Sequence, residues 1–404
     1  MSGGLHDVVI VGAGSVGATL GCALAQSDFR VALIEPQAPE LEWPRDSVDL
    51  RVFAIAPASQ RIFAALGVWD AMVALGVSPY RHMEVWEPGG GRIRFDADAL
   101  DQPVLGWIIE QRVIQAALWR CLQRHERVEL LCPASPQRLD VSEAAGLALD
   151  GDRVVRGRLV VGADGPQSFV REAAGIGVDV HDYRQTALVA VVATGRPHGE
   201  TARQCFLPSG PLAFLPLRDG RSSIVWSTTP GRAQALLAMS DADFARALGD
   251  AFGHALGDIT AVGERRAFPL RRMHAERYVA PRIALVGDAA HVVHPLAGQG
   301  ANLGFLDAAA LTEVVEDARA GGRDIGSYRV LRRYERWRRP ENALVIRSMD
   351  GFKWLFGVQA EPLRRLRRIG LGAVDRLAPV KQLFAASAMQ GVGELPRLAG
   401  SAGR

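Results

Sequence analysis

The sequence predicts an α/β protein in which a doubly wound nucleotide-binding fold is interrupted by an antiparallel β-sheet and followed by a helical C-terminal region. Three observations carry that expectation. A strand, a tight glycine turn, a helix and an acid-tipped second strand open the chain between Asp7 and Glu35. A further strand-to-turn unit, Ile283 to Val286 running into Gly287-Asp288, stands far downstream. Between them, from Thr186 to Phe268, helical periodicity gives way to β-rich runs.

The opening unit reads Asp7-Val-Val-Ile-Val, then Gly12-Ala-Gly14-Ser-Val-Gly17, an Ala/Leu-rich helix to Gln26, and Val31-Ala-Leu-Ile-Glu35. This is a dinucleotide fingerprint in its proper setting. Gly12 allows the turn, Gly14 lets backbone approach a pyrophosphate, and Gly17 lets the helix lie close to the strand. Glu35 can accept bonds from both ribose hydroxyls, and its charge repels a 2′-phosphate. The fingerprint alone leaves NAD and FAD both open.

A helix is expected from Pro57 to Leu66, ended by Gly67. Arg51, just before it, reads either as a contact to a cofactor phosphate or as a solvated arginine. His82 to Trp86 and Arg92 to Phe95 flank Pro88-Gly-Gly-Gly91 as a hairpin. Glu110-Gln111-Arg112 starts an apolar-faced helix. Arg112 is oddly placed there, because the positive end of the helix dipole disfavours a cation unless an anion lies beside it. A cofactor pyrophosphate would be such an anion; a surface arginine is the alternative. Short strands and turns fill residues 128 to 162 and lead into Gly162-Ala-Asp164-Gly165, which resembles a second phosphate-side turn.

In the β-rich region, Leu212 to Pro216 and Ser223 to Trp226 flank Asp219-Gly220 as an antiparallel hairpin, the natural platform for a substrate. Strand Ile283 to Val286 then returns to the nucleotide-binding part. Asp288 follows at its carboxyl end, a Pro/Gly loop contains His294-Pro295, and a helix opens near Gly300 and continues to Val315. A carboxylate in that position suits a ribose or polyol, and exposed N–H groups around Gly300, Ala301 and Asn302 suit an anion or carbonyl. The expected division is residues 1–79, 98–180 and 280–345 for the nucleotide-binding domain, 80–97 and 181–279 for the substrate sheet, and 346–404 for a C-terminal helical tail.

Composition narrows the classes. At 404 residues the chain is too long for one small core, and 48% hydrophobic with 23% charged residues is ordinary for a soluble globular protein. No apolar run reaches the roughly 18 residues of a spanning helix, and the N-terminus lacks a signal-type pattern, so a cytoplasmic location is expected. Cys22, Cys121, Cys132 and Cys205 are scattered, which argues against a disulfide framework or zinc knuckle. His291 and His294 have no third ligand at a recognisable spacing, so no metal is expected. Between Arg329 and Lys381, 14 lysines and arginines face 5 acids, leaving the remainder acidic. That asymmetry concerns partners such as an anionic membrane; no nucleic-acid partner is expected.

With Gly12-x-Gly14-x-x-Gly17 and Glu35, Asp164-Gly165, and Gly287-Asp288 in one order, the whole chain resembles the group A flavoprotein aromatic hydroxylases, and within them the ubiquinone-biosynthesis hydroxylase family. Gly287-Asp-Ala-Ala-His291 through Gly304 matches that family's signature almost residue for residue. Tyr334 to Arg338, Met349 to Phe356 and Pro379 through Pro396 look most like the members that hydroxylate 2-polyprenylphenol at C5. The resemblance implies a Rossmann-type FAD-binding domain with an inserted antiparallel substrate domain, as in p-hydroxybenzoate hydroxylase. It implies FAD as cofactor, with NAD(P)H as a transient reductant because no second complete glycine fingerprint is present. It implies O2 and a polyprenylphenol as substrates. By position, Gly12, Gly14, Gly17, Glu35, Arg51, Arg112, Asp164, Asp288, Gly300, Ala301 and Asn302 would hold FAD, and His294 and Pro295 would border the ring where oxygen reacts. The basic, aromatic-bearing tail would lean on the inner face of the plasma membrane or on a quinone-biosynthesis complex. A small soluble phenol as substrate, or a flavin-binding scaffold without turnover, are the readings left open beside this one.

Overall fold

The computed structural model describes residues 4–44, 46–142, 144–293, 299–357 and 393–400. Its first sheet has the order Val279–Ala280, Ile283–Leu285, Val154–Gly162, His6–Val11, Val31–Ile34, Val128–Leu131. From Ile283–Leu285 to Val128–Leu131 the strands run parallel. Val8, Val9, Ile10, Val31 and Leu33 are fully buried, as unbroken apolar runs must be when helices cover both faces. Helices Ser15–Gln26, Gln111–Arg124 and Gln299–Ala320 supply that cover.

The strand register aligns four carboxyl ends. Val11 lies beside Ile34 on one flank and Gly162 on the other, and Gly162 lies beside Leu285. The segments after these four strands therefore emerge along one edge, and they carry Gly12, Glu35, Asp164 and Asp288. Ligands of open parallel sheets bind at this carboxyl edge.

The second sheet is mostly antiparallel, ordered His291–Val292, Ile259–Ala275, Val178–Thr194, Ser222–Thr228, Gly210–Pro216, Thr201–Leu207, His82–Trp86, Arg92–Asp96. The hairpin His82–Asp96 joins it by parallel pairing with Thr201–Leu207. One face is closed by helices Pro230–Ala238 and Asp241–Ala251, whose Leu236, Phe244 and Leu248 cover Leu188, Leu212, Phe214, Ile224 and Trp226. The other face turns toward the first domain, where Val191 and Leu217 meet Ala54 and Ile108.

Three features differ from the sequence expectation. Val52–Ile55, Gly106–Glu110 and Val77–Tyr80 form a separate antiparallel sheet, because these short strands pair only with one another. His291–Val292 pairs with Met273–His274, so the loop after Asp288 is stitched to the second sheet rather than only to the first domain. The boundary at residue 345 falls inside one helix, Tyr328–Gly357, which carries Pro340 without ending. Arg364–Arg368 and the motifs from Pro379 through Gln390 lie outside the described residues. Among the described residues no helix is long and apolar enough to cross a membrane.

Candidate active site

The glycine turn has the geometry its spacing predicts, with each glycine serving a different purpose. Gly12 has φ +99°, and a Cβ there would stand 2.4 Å from the Ala163 carbonyl oxygen. A Cβ at Gly17 would stand 2.0 Å from the Gly12 carbonyl oxygen. Gly14 is different: a Cβ there would meet nothing within 4 Å, although the residue caps helix Ser15–Gln26. Packing explains the first two; at Gly14 the space is an open cradle at a helix N-terminus, which suits a phosphate.

Glu35 closes over this turn. One carboxylate oxygen accepts from Ala13 N–H at 2.6 Å, and the other accepts a longer bond from Gln37 N–H at 3.3 Å, leaving lone pairs free for a diol. Asp164 accepts from Val170 N–H at 3.2 Å through one oxygen, while its other oxygen is buried with no hydrogen-bond partner among the described residues. Burial raises its pKa against the opposing effect of Ser168 and the Val170 N–H. An orphaned, buried carboxylate oxygen of this kind is costly unless a ligand donor completes it. Asp288 is open to solvent on one side yet recessed, and desolvation raises its pKa against the opposing influence of nearby His291 and Arg51. Arg51, exposed, also leans over the Phe268 ring of the second sheet at 5.8 Å, so it spans the two domains beside Asp288.

Arg112 is committed mainly to the protein. Its Nε donates to Glu110 at 2.7 Å, Nη1 and Nη2 donate to Ser47, and the guanidinium stacks on Trp43 at 4.6 Å. Its backbone N–H donates to Asp49 at 3.3 Å. The anions that resolve its position at the helix start are therefore Glu110 and Asp49. Asn302 is likewise employed within the chain. Its side-chain oxygen accepts from Ala56 N–H and the Ser59 hydroxyl, and its amide donates to the Ala54 carbonyl. This ties the start of helix Gln299–Ala320 to the small third sheet and orients the backbone at Gly300 and Ala301. His294 and Pro295 lie outside the described residues.

A set of buried residues absent from the sequence expectation holds these turns in place. Arg171 donates to the carbonyls of Pro166 and Ala289, clamping the Asp164 turn to the Asp288 turn. Behind the latter, fully buried Asp307 gathers four donors. His291 Nε2 lies 2.5 Å away, Arg338 Nε donates at 2.8 Å, Asn342 at 3.0 Å, and the Gly287 N–H at 3.3 Å. Arg338 also reaches Glu341, and Asn342 donates to the Tyr278 hydroxyl, which His274 meets at 2.9 Å. Burial alone would raise the Asp307 pKa; His291 and Arg338 outweigh it and hold the group at about 2. One sequence signal for Asp307 existed, a lone acid among Phe305, Leu306 and Ala308 to Ala310. Val16 contributes as well, since its methyls fill the space beside Gly287 and Gly304.

The open cradle at Gly14, the free acceptors of Glu35, the orphaned oxygen of Asp164 and the recessed Asp288 together fit an elongated group bearing a diol, a pyrophosphate and a polyol. When bound, FAD supplies the electron transfer and oxygen activation that no side chain can. Glu35 and the Gly14 turn would hold its adenosine diphosphate half, and Asp288 its ribityl side. The chain's own residues bind, orient and exclude water. This fold and this site define an FAD-dependent monooxygenase. The FAD binding domain family matches residues 6–348. The structure superposes on that of PqsL from Pseudomonas aeruginosa, described as a probable FAD-dependent monooxygenase, with a TM-score of 0.77 at 26% identity, covering 91% of this chain and 99% of that one.

The relatives narrow the class. The 3-demethoxyubiquinol 3-hydroxylase of Escherichia coli is 42% identical over 93% of this chain and 96% of its own length. The ubiquinone hydroxylase UbiL of Rhodospirillum rubrum is 40% identical over 95% of this chain and 89% of its own. The chain belongs to the ubiquinone-biosynthesis hydroxylase family of FAD-dependent monooxygenases.

Proposed function

We propose that this enzyme inserts one oxygen atom from O2 into the aromatic ring of a polyprenylated phenol in ubiquinone biosynthesis, at C5 of 2-polyprenylphenol. The carrying observation is that Arg51, beside Asp288, leans over Phe268 of the second sheet, whose Val191 and Leu217 pack toward the first domain on Ala54 and Ile108. A greasy ring fits between an apolar wall and a cofactor edge, and water kept out of that space spares oxygen for the ring. By the family resemblance NAD(P)H would deliver electrons transiently, His294 and Pro295 would border the reacting ring, and Arg51, which lies beside Asp288, would support the cofactor from the side. The basic stretch from Arg364 to Arg368 docks on anionic lipid at the inner membrane face, where such a substrate dissolves. Equal flotation of the enzyme on anionic liposomes with and without those arginines would sink the docking claim.

Hydroxylation of a 3-demethoxyubiquinol is a second reading, favoured by the relative of that activity at 42% identity. Mass spectrometry of lipids from a deletion strain separates the two. Accumulated 2-polyprenylphenol supports the first, accumulated demethoxy intermediate replaces it with the second, and unchanged ubiquinone removes both.

A further inference from the structure

We propose that Cys121 and Cys22 form a peroxide-responsive pair, in which Cys121 is the thiol that the oxidant attacks and Cys22 closes the product to a disulfide. The site is independent of which phenol the enzyme hydroxylates. The cysteines are scattered in the chain and all free, but the fold brings these two to one helix crossing. Cys22 lies in helix Ser15–Gln26 and Cys121 in helix Gln111–Arg124. The helices meet at Gly21, where a Cβ would stand 2.9 Å from Leu122 Cδ2. Beside that contact the Cys22 thiol donates to the Leu118 carbonyl at 3.7 Å, which sets its sulfur on the helical turn that carries Cys121. The two side chains lie within hydrogen-bond reach of each other.

The two thiols differ as the attacking and resolving members of such a pair must. Cys22 is buried, whereas Cys121 is half-buried and open to a small oxidant. The hydrogen bond from Cys22 pulls the Cys121 pKa down, desolvation opposes it, and the Arg124 guanidinium one helical turn on adds to the lowering. The same contact, together with burial, pushes Cys22 up. The other two cysteines are poorer nucleophiles, because burial raises Cys132 and raises Cys205 to about 12. The oxidant is hydrogen peroxide, which a monooxygenase releases whenever oxygen is reduced without being passed to substrate. The Cys121 thiolate attacks one peroxide oxygen. An S–O bond forms, the O–O bond breaks, and the departing hydroxide takes up a proton to become water. The Cys22 sulfur then displaces the hydroxyl of the Cys121 sulfenic acid to give the S–S bond, and the Cys22 proton leaves with that hydroxyl as a second water. Two thiols are thereby oxidised and one peroxide is reduced. The bond staples the helix that begins at the Gly14 cradle to its neighbour over the first sheet.

The test treats the FAD-loaded full-length enzyme with stoichiometric hydrogen peroxide, then denatures it in an alkylating agent and reads intact mass and peptide map. Two of the four thiols should escape alkylation, with the mass before alkylation lower by the two hydrogens removed. The peptides that carry Cys22 and Cys121 should run linked until a reductant is added. Cys22→Ser removes the resolving sulfur, so Cys121 should stop at the sulfenic acid, gain one oxygen and be captured by dimedone. Cys121→Ser should leave Cys22 fully alkylated, since its thiol is buried and raised. Cys22→Ala serves if a serine at that buried site costs the protein its FAD. Four thiols still alkylated after peroxide, or oxygen gained first at Cys132 or Cys205, overturns the proposal. A Cys121→Ser enzyme oxidised at Cys22 as fast as wild type overturns the assignment of the attacking thiol.

Discussion

Asp288 lies in the turn after strand Ile283–Leu285 and Asp307 lies within helix Gln299–Ala320, and their surroundings drive them in opposite directions. Asp307 is completely buried, yet four donors converge on it and its pKa falls to about 2. Asp288 is open on one side, accepts no hydrogen bond from the described residues, and has its pKa raised by desolvation. The buried charge is the satisfied one, and the accessible charge is the unsatisfied one. Asp164 resembles Asp288, with one oxygen orphaned. Carboxylates that the protein completes belong to its framework, and carboxylates that it leaves incomplete await a ligand.

Removing the framework carboxylate should have the largest effect. Asp307→Ala leaves Arg338 buried without its main anion and frees the Gly287 N–H, at a cost of about 3–5 kcal/mol in denaturant unfolding of the apoprotein. Replacing Arg338 by Met in that background should recover part of the loss, because the uncompensated charge goes with it. A near-neutral Asp307→Ala protein would contradict a framework role. The pH dependence has a definite sign. The folded pKa of about 2 lies below the ordinary value of 3.8, so the stabilisation is present above about pH 4 and is lost as pH falls toward 2.

Asp288→Asn should behave in reverse. Its carboxyl is raised in the fold, so it weakens the apoprotein above its ordinary pKa, and neutralising it should leave unfolding unchanged or slightly improved. FAD affinity should fall by about 10–100-fold, the value of one hydrogen bond to a charged group. Flavin absorbance of the purified protein reads the second effect. A variant as yellow as wild type, or one that unfolds as readily as Asp307→Ala, would show that the two carboxylates do not divide the work in this way.

The ligand-facing half of this division was legible in the sequence, and the framework half was not. Gly12, Gly17 and Glu35 are local: strand, turn, helix and strand succeed one another within about 30 residues, and each residue type answers a backbone or hydrogen-bonding need. The Asp288 turn was readable for the same reason. Asp307, Arg338, Asn342, Arg171 and the pairing of His291–Val292 depend on contacts between segments far apart in the chain, to which periodicity is blind. Arg112 shows the limit from the other side. Its awkward place at a helix start was a true signal of a nearby anion, but the sequence could not choose between a cofactor and Glu110.

The smallest expected effect lies at the rim of the buried network. His274 meets the Tyr278 hydroxyl, which Asn342 links onward to Asp307. Burial lowers its pKa to about 4 from 6.5, and His291, Arg339 and Arg272 reinforce the shift against Asp179. A depressed histidine is held neutral in the fold, so its contribution is intact above pH 6.5 and is lost as pH falls from 6.5 toward 4. Acid sensitivity should therefore come in two stages, the first from His274 and the second, below about pH 4, from Asp307. His274→Gln retains a polar side chain that does not titrate. It should flatten the stability profile between pH 6.5 and 4 while leaving the steeper loss below in place. Unfolding midpoints measured across that range decide the point. An unchanged first stage would place the titrating group elsewhere, whereas a simultaneous loss of the second stage would mean that His274 and Asp307 titrate as one unit through Tyr278 and Asn342.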